Sequence, residues 1–275
     1  MLLDILTISW LPLKGLGSKY YVTAIVTTPT DEIFAATNGN GLLYSKDEGA
    51  TWEDVSPIGF DKRDFPTDIV YTKNGKLIIT GQKASVFISA DKGKTWVVSK
   101  SGLPVNLRCN FPIELNNGDL YVMDFLSSLY KSVDGGVTWV EEPKVRELEA
   151  ICTDKNGWMY KCTFVNADPS GQAASNIVVS KDNGKTFMPY AKVNSFVYVM
   201  KAEDDGNIYY FDSFGGPSLI RRFINGNFSQ GIANNGTIAT FNLIGSASER
   251  NWYLLIPQHA FFYFSGNHIM RGPNI

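Results

Sequence analysis

An octapeptide recurs four times along this chain with its polar frame intact. The copies are Ser45-Lys46-Asp47-Glu48-Gly49-Ala50-Thr51-Trp52, Ser89-Ala90-Asp91-Lys92-Gly93-Lys94-Thr95-Trp96, Ser132-Val133-Asp134-Gly135-Gly136-Val137-Thr138-Trp139 and Ser180-Lys181-Asp182-Asn183-Gly184-Lys185-Thr186-Phe187. Their aspartates stand 44, 43 and 48 residues apart, the period of a supersecondary unit that buries its apolar faces only by stacking on copies of itself. Each period also has an internal rhythm. The second runs Ile69-Val70-Tyr71-Thr72, a polar Lys73-Asn74-Gly75, then Lys76-Leu77-Ile78-Ile79-Thr80, and finally Ser85-Val86-Phe87-Ile88 before the octapeptide. Comparable turns are Pro29-Thr30-Asp31, Asn116-Asn117-Gly118, Asp154-Lys155-Asn156-Gly157 and Asp204-Asp205-Gly206. Three β segments joined by turn residues and closed by an octapeptide into a fourth make one propeller blade.

Past residue 190 the octapeptide is lost but the strand rhythm persists, with Asn225-Gly226 as a favoured two-residue hairpin turn. The sequence therefore predicts an all-β, six-bladed propeller of four-stranded antiparallel blades in a single domain, residues 1–275. The blades are expected at 20–55, 66–99, 108–142, 147–190, 195–231 and 237–272, the last with strands at 237–244, 252–256, 260–264 and 268–271. Residues 6–13 resemble a fourth strand without its blade, because Trp10 precedes Tyr21 much as Trp52 precedes Phe65. Lending this strand to the last blade would close the ring and cover a sheet edge, although 268–271 competes for the same place.

Within the octapeptide, a short acceptor folds back on the hairpin amides, a glycine supplies positive φ, and a flat ring wedges against neighbouring strands. Asp47, Asp91, Asp134 and Asp182 are the acceptors; Gly49, Gly93, Gly136 and Gly184 the glycines; Trp52, Trp96, Trp139 and Phe187 the rings. Four copies on four blades cannot converge on one substrate, so these residues specify turns. The pattern Ser-x-Asp-x-Gly-x-Thr-Trp resembles the Asp-box, or BNR, repeat of the sialidase-like propeller superfamily. That superfamily includes sialidases and related exo-glycosidases, xyloglucanases, sortilin-type receptors and photosystem assembly factors. The four boxes cover residues 20–190; blades five and six match by rhythm. Because the superfamily contains enzymes and binders, the motif speaks for fold rather than function. The resemblance slightly favours an extracellular or cell-envelope location.

Composition narrows the function classes. With 25 basic against 27 acidic side chains the net charge is −2, which gives no global field for nucleic acid. Two histidines and three cysteines leave too few ligands for structural zinc, and neither a metal nor a cofactor is expected. No apolar run is long enough for a spanning helix, so the chain reads as soluble and monomeric. The apolar first thirteen residues carry Asp4 and lack a basic n-region, so no signal peptide is recognised.

In such a propeller the first strand of each blade lines the tunnel, and ligands sit on the face opposite the octapeptides. Loops into successive blades carry Arg63, Arg108 and Arg146 there. Together with Phe65, Phe125 and Phe164 they are candidates for gripping a carboxylate and stacking on a sugar or peptide. A sialidase, by resemblance, would have three arginines on the substrate carboxylate, a tyrosine nucleophile backed by glutamate, and an aspartate acid/base. The arginine motif of those enzymes is met only by Arg63-Asp64-Phe65-Pro66 at the second blade, while Arg221, Arg222, Arg250 and Arg271 fall elsewhere. Another glycosidase would use two carboxylates, for which Asp64, Asp124, Glu147 and Asp212 are the candidates. Short loops favour a glycan- or protein-binding module over a glycoside hydrolase.

Overall fold

The computed structural model describes residues 11–12, 21–57, 66–81, 86–105, 108–143, 148–154, 156–165, 174–193, 197–202, 208–212, 220–224, 227–229, 251–256, 260–265 and 268–271. Their regular elements are all strands, and these form six four-stranded antiparallel sheets. Sheet one is Tyr21–Thr27, Ile33–Asn38, Gly41–Ser45 and Glu53–Asp54; sheet two is Pro66–Tyr71, Leu77–Gly81, Val86–Ser89 and Val97–Ser99. Sheet three is Cys109–Glu114, Leu120–Asp124, Leu129–Ser132 and Val140–Glu141; sheet four is Leu148–Thr153, Met159–Val165, Ala174–Ser180 and Met188–Val193. Val197–Ala202, Ile208–Asp212, Ile220–Ile224 and Asn227–Ser229 make sheet five. Sheet six is Asn251–Ile256, Ala260–Ser265, His268–Arg271 and, from the other end of the chain, Leu11–Pro12.

The first strands of sheets one to five lie side by side in succession, and Asn251–Ile256 lies against Tyr21–Thr27. Inner strands thus surround a common centre. In sheet six the strand order differs from the one the sequence suggested. Residues 251–256 take the inner place rather than the second, each later strand shifts one place inward, and Leu11–Pro12 fills the outer place through Leu11↔Arg271 and Pro12↔Met270. Period-two apolar runs look alike wherever they stand in a blade, so strand rank is decided by which edge finds a partner. The strand expected at 237–244 and the turn at 225–226 lie outside the described residues.

Burial follows strand rank. Leu77–Gly81 and Leu120–Asp124 are buried at every residue, whereas Glu53–Asp54 and Val140–Glu141 are exposed throughout. A second strand is covered on both faces by neighbouring blades, which is why these segments read as unbroken apolar runs. The core is accordingly divided into packets between blades. Phe34, Leu42, Leu77 and Ile79 fill the space between one and two; Ile78, Val86, Val122 and Trp139 that between two and three. Leu115, Tyr121, Ile151 and Met159 pack between three and four, and Tyr160, Cys162, Val197 and Ile208 between four and five.

The octapeptides connect these packets. In the first, Ser45 Oγ accepts Gly49 N–H at 2.8 Å, while Asp47 accepts Ser45 Oγ–H and Thr51 N–H at 2.8 Å and Thr51 Oγ1–H at 2.6 Å. The same bonds recur around Asp91, Asp134 and Asp182. The second and third boxes then seat on the preceding blade. Trp96 Nε1 donates to Val55 O at 2.8 Å, and Trp139 Nε1 donates to Ser99 Oγ at 2.8 Å. Gly136 has φ of 91°, and a Cβ there would stand 2.2 Å from Ile88 Cδ1 of blade two, so a side chain would be strained and would have to displace Ile88.

At the tunnel wall a second set of ties runs between inner strands. A bulge near the start of the inner strand recurs in sheets one to five, and in three of them a side chain beside it reaches the next blade. Thr23 Oγ1 donates to Pro66 O at 2.7 Å, Asp68 accepts the N–H of Phe111, and Glu149 Oε2 accepts Val197 N–H at 3.3 Å.

Trp139 is 3% exposed. Its replacement by alanine should cost about 3 to 5 kcal/mol in denaturant unfolding, as for a large buried aromatic, and partly buried Trp96 should cost less. Hydrogen bonds from Thr51, Thr95 and Thr186 are the main cause that holds the carboxyls of Asp47, Asp91 and Asp182 at about 2, below the usual 3.8. Their contribution is complete above pH 4, so melting temperature should fall as pH drops from 4 toward 2, and less steeply in D91N/D134N. Asp68 shows the opposite sign. Burial pushes its carboxyl to about 6 against the N–H groups of Ile69 and Phe111, so the folded state holds the proton longer and stability should decline as pH rises from 4 to 6. Melts of D68N should lack that decline; an identical pH profile would remove the assignment.

Candidate functional site

On the face opposite the octapeptides, the equivalent hairpins of blades one and three are both described, and that of blade three carries exposed apolar side chains. There the hairpin joining Leu120–Asp124 to Leu129–Ser132 is held by Asp124, which is 1% exposed. Its Oδ1 accepts Leu126 N–H and Ser128 N–H at 2.8 Å each, and its Oδ2 accepts Tyr130 Oη–H at 3.0 Å. The backbone closes the same turn, with Asp124 N–H to Ser128 O at 2.9 Å and Ser127 N–H to Asp124 O at 3.1 Å. Ser127 is left-handed, at φ of 65°. The carboxylate named as a catalytic candidate is therefore engaged as a turn cap, because a short acceptor at this position satisfies two hairpin amides.

What the turn presents is apolar. Phe125 and Leu126 are 69% and 61% exposed, and Val105 in the adjoining loop is 87% exposed. Phe125 N–H donates to Arg108 O at 3.0 Å, which fixes the finger against the loop carrying Arg108. Arg108 is partly buried and its Nε donates to Asn110 Oδ1 at 3.1 Å. The backbone of Arg108 thus joins the hairpin tip that exposes Phe125 and Leu126. Phe164 stands on blade four near the end of Met159–Val165, paired with Ser175, and is partly buried. Arg63, Asp64, Phe65, Arg146 and Glu147 lie outside the described residues, and Asp212 is described only as the end of Ile208–Asp212, opposite Val197.

Two carboxylates were missed in the sequence, Asp68 and Glu149, both in inner strands. Glu149 Oε2 accepts Ser175 Oγ–H at 2.7 Å as well as Val197 N–H, joining two strands of blade four to blade five. The available signal was an acidic residue interrupting an apolar inner strand. A tyrosine backed by a glutamate is also present: Tyr44 Oη donates to Glu32 Oε1. This pair sits at the octapeptide end, where Glu32 also binds Lys92 of the next box at 2.6 Å. Burial first, then Glu32, raises the Tyr44 hydroxyl to about 12, the wrong direction for a nucleophile. Burial likewise pushes the Cys109 thiol to about 12. Among the described residues no three His, Cys, Asp or Glu side chains group as a metal site, and no helix is long and apolar enough to cross a membrane.

No protein family and no curated protein matches the sequence. Solved structures do resemble the fold. YCF48 bound to D1 peptide superposes with a TM-score of 0.64 at 11% identity, covering 98% of this chain and 96% of that one. The gluconolactonase XC5397 from Xanthomonas campestris gives 0.65 at 12%, over 98% and 90% of the two chains. The Hadza microbial sialidase Hz136 gives 0.56 at 13%, over 97% and 68%. Proteins this different in sequence share architecture rather than chemistry, and the architecture they share with this chain is the β-propeller.

Proposed function

We propose that the chain is a single-domain Asp-box propeller that binds an extended peptide bearing a carboxylate and an apolar side chain on the face opposite the boxes. The observation that carries this reading is the finger Phe125–Leu126, held exposed by a buried aspartate cap and fastened to the Arg108 loop. A rigid apolar tip fastened to a loop that carries a cation suits such a segment, since little entropy is lost in ordering the site. Arg63 and Arg146, from the equivalent loops of neighbouring blades, complete the anion site, with Phe65 and Phe164 flanking it. The peptide in the YCF48 structure is consistent with a propeller of this shape taking a peptide. Acidic glycans are the runner-up, because a phenylalanine face also stacks on sugars. A glycoside hydrolase has less support: it would rest on Asp64, Glu147 and Asp212, as Asp124 is occupied by its turn.

Calorimetric titration separates these readings. An apolar peptide with a free C-terminal carboxylate should bind in a salt-sensitive way, its amidated counterpart weakly, and neutral sugars not at all. Arg108→Ala should weaken the free acid by about 1.5 to 3 kcal/mol, the range for a charged hydrogen bond, and F125A/L126A should weaken both peptides at unchanged melting temperature. Equal binding of acid and amide, or equal binding by wild type and R108A, would overturn the anion site. Preference for sialic or uronic acids would transfer it to glycans, and turnover of a glycoside would establish the hydrolase.

A further inference from the structure

The four octapeptides act as internal controls for one another, since their variable positions occupy equivalent surface sites. At the second position stand Lys46, Ala90, Val133 and Lys181; at the sixth, Ala50, Lys94, Val137 and Lys185; after the ring, Glu53, Val97, Val140 and Met188. The third copy is valine at all three, with no charge at any variable position. Nothing in the turn requires this. Val133, Val137 and Val140 are 73%, 66% and 68% exposed.

The patch extends onto blade two. Residues 97–101 run alongside 136–140: Ser99 Oγ donates to Gly136 O, Trp139 N–H donates to Ser101 O at 2.9 Å, and Ser101 bridges Thr138 in parallel. Val97 and Val98, on that segment, are 69% and 47% exposed. Val97, on the same side of its strand as Ser99, therefore faces blade three, and with Val133, Val137 and Val140 it lies on the outer rim at the octapeptide end, away from Phe125 and Arg108. Val97 and Val140 belong to the outermost strands of their sheets, and Val133 and Val137 to the turn that leads into the second of these. Such an edge invites association unless charge blunts it. Charge here stands beside the patch and is divided: the blade-two half carries exposed Lys94 and Lys100, the blade-three half exposed Asp134 and Glu141.

We propose that this rim is a self-association surface on which a second copy of the chain docks by a two-fold axis. In an isologous contact each copy offers the same patch, so valines meet valines while the lysine flank of one copy faces the acidic flank of the other. No other partner needs to supply the complement. A handful of valines and their flanks is small beside the roughly 20–30 residues a side of a standard interface, so the dimer is weak and dissociates on dilution. It leaves the opposite face of both copies open.

Sedimentation velocity of the full chain across a dilution series tests this. Wild type should pass from monomer to dimer with rising concentration. V137K/V140E takes the residues that sister copies carry, Lys94, Lys185 and Glu53, so it keeps the turn; its dimer dissociation constant should rise at least tenfold at unchanged melting temperature. K94E/K100E and E141K should each weaken the dimer, and the two mixed should associate better than either alone. Should V137K/V140E not fold, V97K is read instead, with the same loss expected. A wild type that stays monomeric to its solubility limit, a V137K/V140E that dimerises like wild type, or charge variants that fail to complement one another would overturn the proposal.

Discussion

Each octapeptide aspartate draws the amide and hydroxyl of the threonine four residues on into one short turn, and most of the molecule hangs on that bond set. The turn aims a ring sideways, and the ring's N–H reaches back to the blade before it, at Val55 O and at Ser99 Oγ. A local hydrogen-bonding solution thereby becomes an inter-blade joint. Because the glycine seats so closely that a Cβ at Gly136 would have to displace Ile88, the joint fixes spacing as well as contact.

With blades joined at the rim by boxes and at the tunnel wall by Thr23, Asp68 and Glu149, apolar surface is left between adjacent sheets rather than within any one. The core is a series of packets. A single blade has no core of its own, so stability is cooperative between neighbours. The same layout tolerates exceptions. Lys161 takes the place in its strand that Ala35, Ile79 and Val122 take in theirs, and it is nearly buried. Its Nζ lies 4.2 Å from the Phe187 ring, and burial lowers its pKa. A cation over the one box ring that is not tryptophan is how the packet between blades three and four absorbs a charge.

Function, on this scaffold, comes from departures from the repeat. Blade three departs at both ends: an apolar finger on the face opposite the boxes and valines on the rim. A solvent-facing position that stays apolar while its sister positions carry lysine or glutamate serves no need of the turn. The proposed peptide site and the proposed contact with a second copy rest on these two departures, at opposite ends of one blade.

The chain's own sequence determined the strand-turn rhythm, the identity of the box acceptors and the β-propeller class, because these depend on contacts within a few residues: Ser45 with Gly49, Asp47 with Thr51, Thr72 with Lys76. Only the tertiary structure decided what depends on a neighbour. Asp124 was open to reading as a site carboxylate or a loop cap until its hairpin folded around it as a cap, Asp68 and Glu149 became inter-blade ties only once the next inner strand lay beside them, and the rank of 251–256 followed from where Leu11–Pro12 paired. Local hydrogen bonds leave a signature at fixed sequence offsets. A partner forty residues away leaves none, because its distance along the chain is set by loop lengths that the bond itself does not constrain.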